Sequence, residues 1–142
     1  MQHLVFLCVA NSARSQIAEG LARATAPPGW SVSSAGSDPG TLHPLAAKVM
    51  AEIGIDISDH RTKGLDEVSV ESADIVVTLC AEEACPTTPP SVERVDWAMP
   101  DPAAGGGTDE ERLEAFRTTR ASIQERIAQL WRRIGQTGRG EQ

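Results

Sequence analysis

The chain has 142 residues, 40% apolar and 23% charged, with a formal net charge of -7. That is the make-up of one globular domain with a core of its own. It excludes the basic footprint of a nucleic-acid binder, and the lack of any apolar run of about 18 residues excludes a membrane-spanning helix.

The opening MQHLVFLCVANSARSQ has no basic n-region and no cleavage site, so no signal peptide is expected and the cytoplasm is the expected compartment. In that reducing setting three cysteines point to thiol chemistry rather than structural bridges.

Residues 3–8, HLVFLC, form a short run of β-formers. A polar segment follows, and then Ile17, Ala18, Leu21 and Ala22 recur at helical spacing. Pro27, Pro28 and Gly29 end that helix. Residues 30–34 read as a second strand. A helix is expected over 44–54, from the stripe Leu45, Ala46, Val49, Met50 and Ile53, with Pro44 in its first turn and Gly54 as its C-cap. A loop spans 55–63, and Leu65 to Val70 reads as a short helix. Residues 74–79, DIVVTL, are an apolar run suited to a strand buried on both faces. Residues 92–96 read as a fourth strand. A long amphipathic helix is expected over 108–134, carrying Leu113, Phe116, Ile123, Ile127, Leu130 and Ile134 on one side. Thr108 and Glu111 spell a capping box at its start.

Helices between most strands indicate an α/β fold: a single domain with a four-stranded parallel sheet and helices on both faces. The domain is expected over 1–134, with 135–142 a disordered tail. Ligands of such sheets bind beyond the carboxyl ends of the strands.

The first strand ends at Cys8, and a helix begins near Arg14. The intervening spelling is Cys8-Val9-Ala10-Asn11-Ser12-Ala13-Arg14-Ser15. A loop entering a helix N-terminus turns backbone N–H groups inward, and the helix dipole adds partial positive charge. Arg14 can grip two oxygens of an oxyanion. The same field favours the thiolate of Cys8, which then lies beneath the bound anion as a nucleophile. Ser15 can donate a hydrogen bond to the sulfur. Asp101, before Pro102, follows the fourth strand. Alone it reads as a turn residue; beside the loop it is a candidate acid for protonating a leaving oxygen.

Cys80 closes the third strand, which neighbours the first in the expected sheet, and Cys85 follows it. Two thiols beside a nucleophilic cysteine are what a disulfide relay uses. No Cys or His pair completes a zinc set, so no metal is expected. His3, His43 and His60 fall in no ligand spacing. Trp30, Trp97 and Trp131 read as packing residues, and Asp109-Glu110-Glu111 as a favourable first helical turn.

Together these residues resemble the low-molecular-weight protein tyrosine phosphatase superfamily and, within it, the thioredoxin-coupled arsenate reductases. The resemblance spans roughly His3 to Trp131. It rests on Cys8 to Ser15 followed by Gln16, Ala18, Glu19 and Gly20; on Ser34-Ala35-Gly36; on Gly54-Ile55-Asp56-Ile57-Ser58; on Asp74 to Cys80; and on Asp101-Pro102. It implies reduction of arsenate to arsenite, for arsenic detoxification, with no bound cofactor and with electrons from thioredoxin. It further implies that Cys8 attacks arsenic while Asp101 protonates the departing oxygen. Cys80 then attacks Cys8, and Cys85 carries the oxidation away as a Cys80–Cys85 disulfide. Asn11 would hold the loop in its strained turn. Phosphate or sulfate would compete for the loop, and the protein is expected to act as a monomer.

A helical Cys80–Cys85 stretch has Cα atoms roughly 8–9 Å apart, whereas a disulfide wants less than about 7 Å. Such a stretch must unwind on oxidation. Two departures from the family pattern stand out. Many relatives place more residues between the second and third cysteines. Some hold a potassium ion through groups matching Asn11, Glu19 and Ser34 and a further carboxylate, near whose position this chain has Lys63. An ammonium there takes the ion's place, and potassium is not expected.

The alternative is a low-molecular-weight phosphatase acting on aryl phosphates or phosphotyrosine. Such a slot needs aromatic walls, yet the chain has no Tyr and only two Phe, and Ala103, Ala104 and Gly105 to Gly107 follow Asp101-Pro102. An oxyanion-capturing sensor would need neither Asp101 nor the spare thiols. A reductase fed by mycothiol or glutathione would leave Cys85 idle.

Overall fold

The computed structural model describes residues 2–80 and 87–140, with side chains to residue 135. Cys85, and with it the expected unwinding of the Cys80–Cys85 stretch, lies outside the described residues.

Four strands, β1 (Gln2–Cys8), β2 (Trp30–Gly36), β3 (Ile75–Cys80) and β4 (Glu93–Met99), form one parallel sheet in the order β2-β1-β3-β4. The two apolar runs become the central strands: Leu4 to Leu7 are fully buried, and every residue of β3 is buried. The more polar segments 30–36 and 93–99 take the edges, where one side meets solvent. The chain leaves β1 for β2 on one side and returns past β1 to β3 on the other. The carboxyl ends of β1 and β3 therefore flank the point where the strand order reverses, the crevice that binds ligands in open α/β sheets. Cys8 and Cys80 end these two strands.

Three α-helices, α1 (Arg14–Thr25), α2 (Pro44–Ala51) and α3 (Asp109–Gly140), share one face of the sheet. There Leu4, Phe6, Val77 and Leu79 pack with Ile17, Met50, Phe116 and Ile127. Fully burying each such side chain contributes about 1.5–3 kcal/mol. The other face buries Val5, Leu7 and Val76 under Leu65, Val68 and Val70, which lie on and between the 3-10 turns Leu65–Glu67 and Val70–Ser72. Helical turns thus cover both faces, unequally. The single short helix expected over 65–70 is instead two turns, because Val68 is extended between them.

The helix expected over 44–54 stops at Ala51. Gly54 adopts a positive φ of 80°, and Ile55 N–H reaches back to the Met50 carbonyl at 3.0 Å, a glycine-terminated helix end. At α3 the capping box forms as spelled: Thr108 N–H donates to Glu111 Oε1 and Glu111 N–H to Thr108 Oγ1, both at 3.1 Å. The helix then runs past Ile134 to Gly140. The tryptophans pack: Trp30 meets Trp131 edge-on at 5.5 Å, and Trp97 lies 6.1 Å from Phe6.

Candidate active site

Cys8 is a buried free thiol at the carboxyl end of β1. The backbone of the following loop is held from outside. Ser37 N–H donates to the Cys8 carbonyl at 3.3 Å, Asp38 to Val9 at 2.8 Å, Gly40 to Ala10 at 2.9 Å and His43 to Ser12 at 2.9 Å. These four bonds pin the loop from Cys8 to Ser12. Asn11 makes the turn in the left-handed region, with φ 52°, the one non-glycine among the described residues to do so. Asparagine tolerates that conformation better than most residues.

The approach between loop and sheet is close. Gly36 pairs with Cys8 across β1 and β2, and a Cβ there would stand 2.4 Å from the Val9 oxygen and 2.8 Å from the Asn11 nitrogen. Only glycine fits.

Two polar groups converge on the sulfur. Asn11 N–H lies 3.2 Å from Cys8 Sγ, and Ser15 Oγ lies 2.9 Å from it. Arg14, 4% exposed, is the first residue of α1. Its NH1 donates to the Met99 carbonyl at 3.0 Å, which ties the guanidinium to the end of β4 and so to the segment carrying Asp101. Asp101 is partly buried, and its Oδ1 accepts from Ala103 N–H at 2.9 Å. Asp101 thus forms a turn two residues beyond the end of β4.

Cys80 reaches the same edge from β3, where Leu7 pairs with Thr78 and Cys80 with Met99. It is disulfide-bonded. The loop Cys8–Ser15, Cys80 and Asp101 thus occupy one edge of the sheet; Cys85 is outside the described residues.

Beneath the loop lies the buried carboxylate Glu19. It accepts from Ser34 Oγ at 2.6 Å and has three cationic or ionisable neighbours: Arg23 NH2 at 3.3 Å, His60 Nδ1 at 3.6 Å and Lys63 Nζ at 3.6 Å. The Lys63 ammonium therefore sits against the carboxylate. Burial holds His60 below its ordinary value, partly offset by Glu19.

Two residues here were given no role by the sequence reading. Gln16 is fully buried, and His60 Nδ1 lies 3.0 Å from its Oε1. Apolar spacing alone does not find them, because the whole first half of α1, Arg14 to Ala22, is buried, polar residues included. His43 and His3 have structural partners: His43 Nδ1 accepts from Leu45 N–H at the start of α2, and His3 Nε2 meets Ser33 Oγ.

Residues 3–139 match the family model for the low molecular weight phosphotyrosine protein phosphatase. An arsenate reductase from Halalkalibacterium halodurans is 46% identical over 126 residues, covering 87% of this chain and 91% of that protein. A solved arsenate reductase in the phosphate-binding state superposes with a TM-score of 0.80 at 33% identity, covering 94% of this chain and 99% of the other. A thioredoxin-dependent arsenate reductase from Corynebacterium glutamicum gives a TM-score of 0.70 at 30% identity, covering 96% of this chain and 63% of that one.

Proposed function

The chain belongs to the low molecular weight phosphotyrosine protein phosphatase family and to the arsenate reductases within it, and we infer that it reduces arsenate to arsenite through a thiol relay that begins at Cys8. The observation that carries this reading is the polar setting of the Cys8 sulfur: a backbone N–H and a serine hydroxyl against the thiol, an Arg at the head of the helix, and a second cysteine ending the neighbouring strand.

In the proposed sequence arsenate sits on the inward N–H groups of the loop and on the Arg14 guanidinium. The Cys8 thiolate attacks arsenic, Asp101 gives its proton to a departing oxygen, and water leaves. A Cys8 S–As(V) bond results. Cys80 as thiolate then attacks Cys8 Sγ. The S–As electron pair stays on arsenic, which departs as arsenite, and a Cys8–Cys80 disulfide forms. Cys85 attacks Cys80 and frees the Cys8 thiol. Two electrons from reduced thioredoxin reopen the Cys80–Cys85 disulfide. No bound cofactor takes part. Phosphate and sulfate compete for the loop because they share its tetrahedral oxyanion geometry. The protein acts as a monomer in the cytoplasm, where thioredoxin keeps thiols reduced. Among the described residues no helix is long and apolar enough to cross a membrane.

A phosphatase would use the loop, Arg14 and Asp101 but would have no work for a thiol at the end of β3. The small residues Ala103, Ala104 and Gly105 to Gly107 after Asp101-Pro102 also leave no aromatic wall for a phenyl ring. A single-turnover experiment tests the relay. Fully reduced protein given one equivalent of arsenate, without thioredoxin, should release one arsenite and yield a Cys80–Cys85 disulfide on peptide mapping; Cys85→Ser should stop at Cys8–Cys80. Arsenite release with neither disulfide would refute the relay.

A further inference from the structure

We propose that Gln16 is a positioning residue for Cys8: anchored to the Arg61 carbonyl, it joins Lys63 N–H in fixing the direction of a hydrogen-bond chain that ends with Ser15 donating to the Cys8 sulfur. The proposal rests on the reading of Cys8 as the nucleophile and assigns the origin of its hydrogen-bond polarity.

The direction follows from groups that have only one role each. A backbone carbonyl can only accept and a backbone N–H can only donate. The Arg61 carbonyl, 3.0 Å from Gln16, therefore faces the amide nitrogen Nε2. Lys63 N–H, 2.8 Å from Asn11, therefore faces the amide oxygen Oδ1. Gln16 Nε2 also donates to Asn11 Oδ1 at 3.1 Å. With its oxygen engaged twice, Asn11 turns Nδ2 toward Ser15 Oγ at 2.7 Å and Ser34 Oγ at 3.0 Å. Both hydroxyls accept there, and each keeps one hydrogen. Ser34 gives its hydrogen to Glu19 Oε1. Ser15 gives its own to Cys8 Sγ. The sulfur is left an acceptor, the role a thiolate fills.

Reversing the chain would set the Gln16 carbonyl against the Arg61 carbonyl and the Asn11 amino group against Lys63 N–H. Gln16, Asn11, Ser15 and Ser34 are all fully buried, so water cannot repair such a mismatch. At the far end, Gln16 Oε1 is an acceptor 3.0 Å from His60 Nδ1, which requires the proton on Nδ1 and leaves Nε2 bare.

Two measurements on the full-length protein test this. The first needs no variant: nitrogen-15 NMR of the His60 ring should show the Nδ1–H tautomer at neutral pH. An Nε2–H tautomer would mean that Gln16 is turned the other way and would overturn its part in the chain. The second follows iodoacetamide alkylation of Cys8 by mass spectrometry of its peptide in wild type and Gln16→Met, a swap that is neutral for neutral and leaves Glu19, Arg23, His60, Lys63, Arg14 and Asp101 in place. With Lys63 N–H still on Asn11 Oδ1, losing the Gln16 anchor should slow alkylation at neutral pH about threefold, less than the about tenfold worth of a whole hydrogen bond to a charged group. At high pH, where any thiol is ionised, the two rates should converge. A slowing equal at both pH values would mark a packing effect and overturn the proposal. If wild-type Cys8 reacts no faster at neutral pH than the unfolded chain, the reading of the site falls with it. If Cys8 is reactive and indifferent to Gln16→Met, only the role of Gln16 falls.

Discussion

The Lys63 ammonium lies 3.6 Å from the Glu19 carboxylate, with Glu19 2% and Lys63 16% exposed. On the reading that this ammonium takes the place of a bound monovalent ion, the wild type needs none. Exchanging sodium for potassium chloride at constant ionic strength should leave wild-type turnover unchanged. Lys63→Met leaves Glu19 with Arg23, His60 and Ser34 as partners, so its cost should fall near the low end of the about 3–5 kcal/mol expected for breaking a buried pair. Lys63→Asp should become potassium-responsive, with potassium raising its Tm. Equal potassium dependence of wild type and Lys63→Asp would remove this account of the cation.

Gly36 should not tolerate alanine. The clash is with backbone of the loop itself, at 2.4 Å from the Val9 oxygen, and no side chain can move aside. Gly36→Ala should cost about 1–3 kcal/mol and displace the loop enough to lose turnover on the order of a hundredfold. Gly20→Ala is the contrast. Its new Cβ meets the flexible ends of Ile57 and Met50, so stability should fall while the rate per folded molecule holds. Denaturant melts and steady-state rates separate the two.

Asp101→Asn keeps the side chain's shape and its acceptor oxygen for Ala103 N–H but cannot give up a proton. Turnover with arsenate should fall about 10²–10⁴-fold, with the fold intact by circular dichroism. Alkylation of Cys8 should be spared, since it needs no acid. A loss below about threefold would remove Asp101 from the chemistry.

Acid stability should report the Glu52 cluster on the seam of α2 and α3. Hydrogen bonds from Arg117 and Arg120 lower the Glu52 carboxyl from 4.5 to about 2. A depressed carboxylate contributes stability above its unfolded value, and that contribution fades as pH falls through the folded one. The Tm gap between wild type and Glu52→Gln should therefore be full near pH 6 and close between about pH 4.5 and pH 2. A gap that widens over that range would contradict the assignment.

Much of this was legible before any coordinates because short-range rules dominated. Ile75 to Leu79 was legible as a strand buried on both faces, since a mainly apolar run suits that place. Thr108 and Glu111 wrote the start of α3 into four residues. The loop was legible because Cys8 and Arg14 straddle a strand-to-helix turn. Where tertiary contacts decide, the reading stopped. Gln16, Glu19 and His60 are polar residues whose burial comes from how α1 is clasped between the sheet and the segment around Arg61, which no periodicity records. The two turns in place of one helix at 65–72 follow from Val68 packing on the second face, again a long-range cause.

The most direct test of the central claim is arsenate-dependent NADPH oxidation with thioredoxin and thioredoxin reductase, for wild type, Cys8→Ser, Cys80→Ser and Cys85→Ser. The account expects turnover by wild type and none by any of the three variants. A wild type that leaves arsenate untouched yet hydrolyses aryl phosphates through Cys8 alone would contradict it and make Cys80 and Cys85 bystanders.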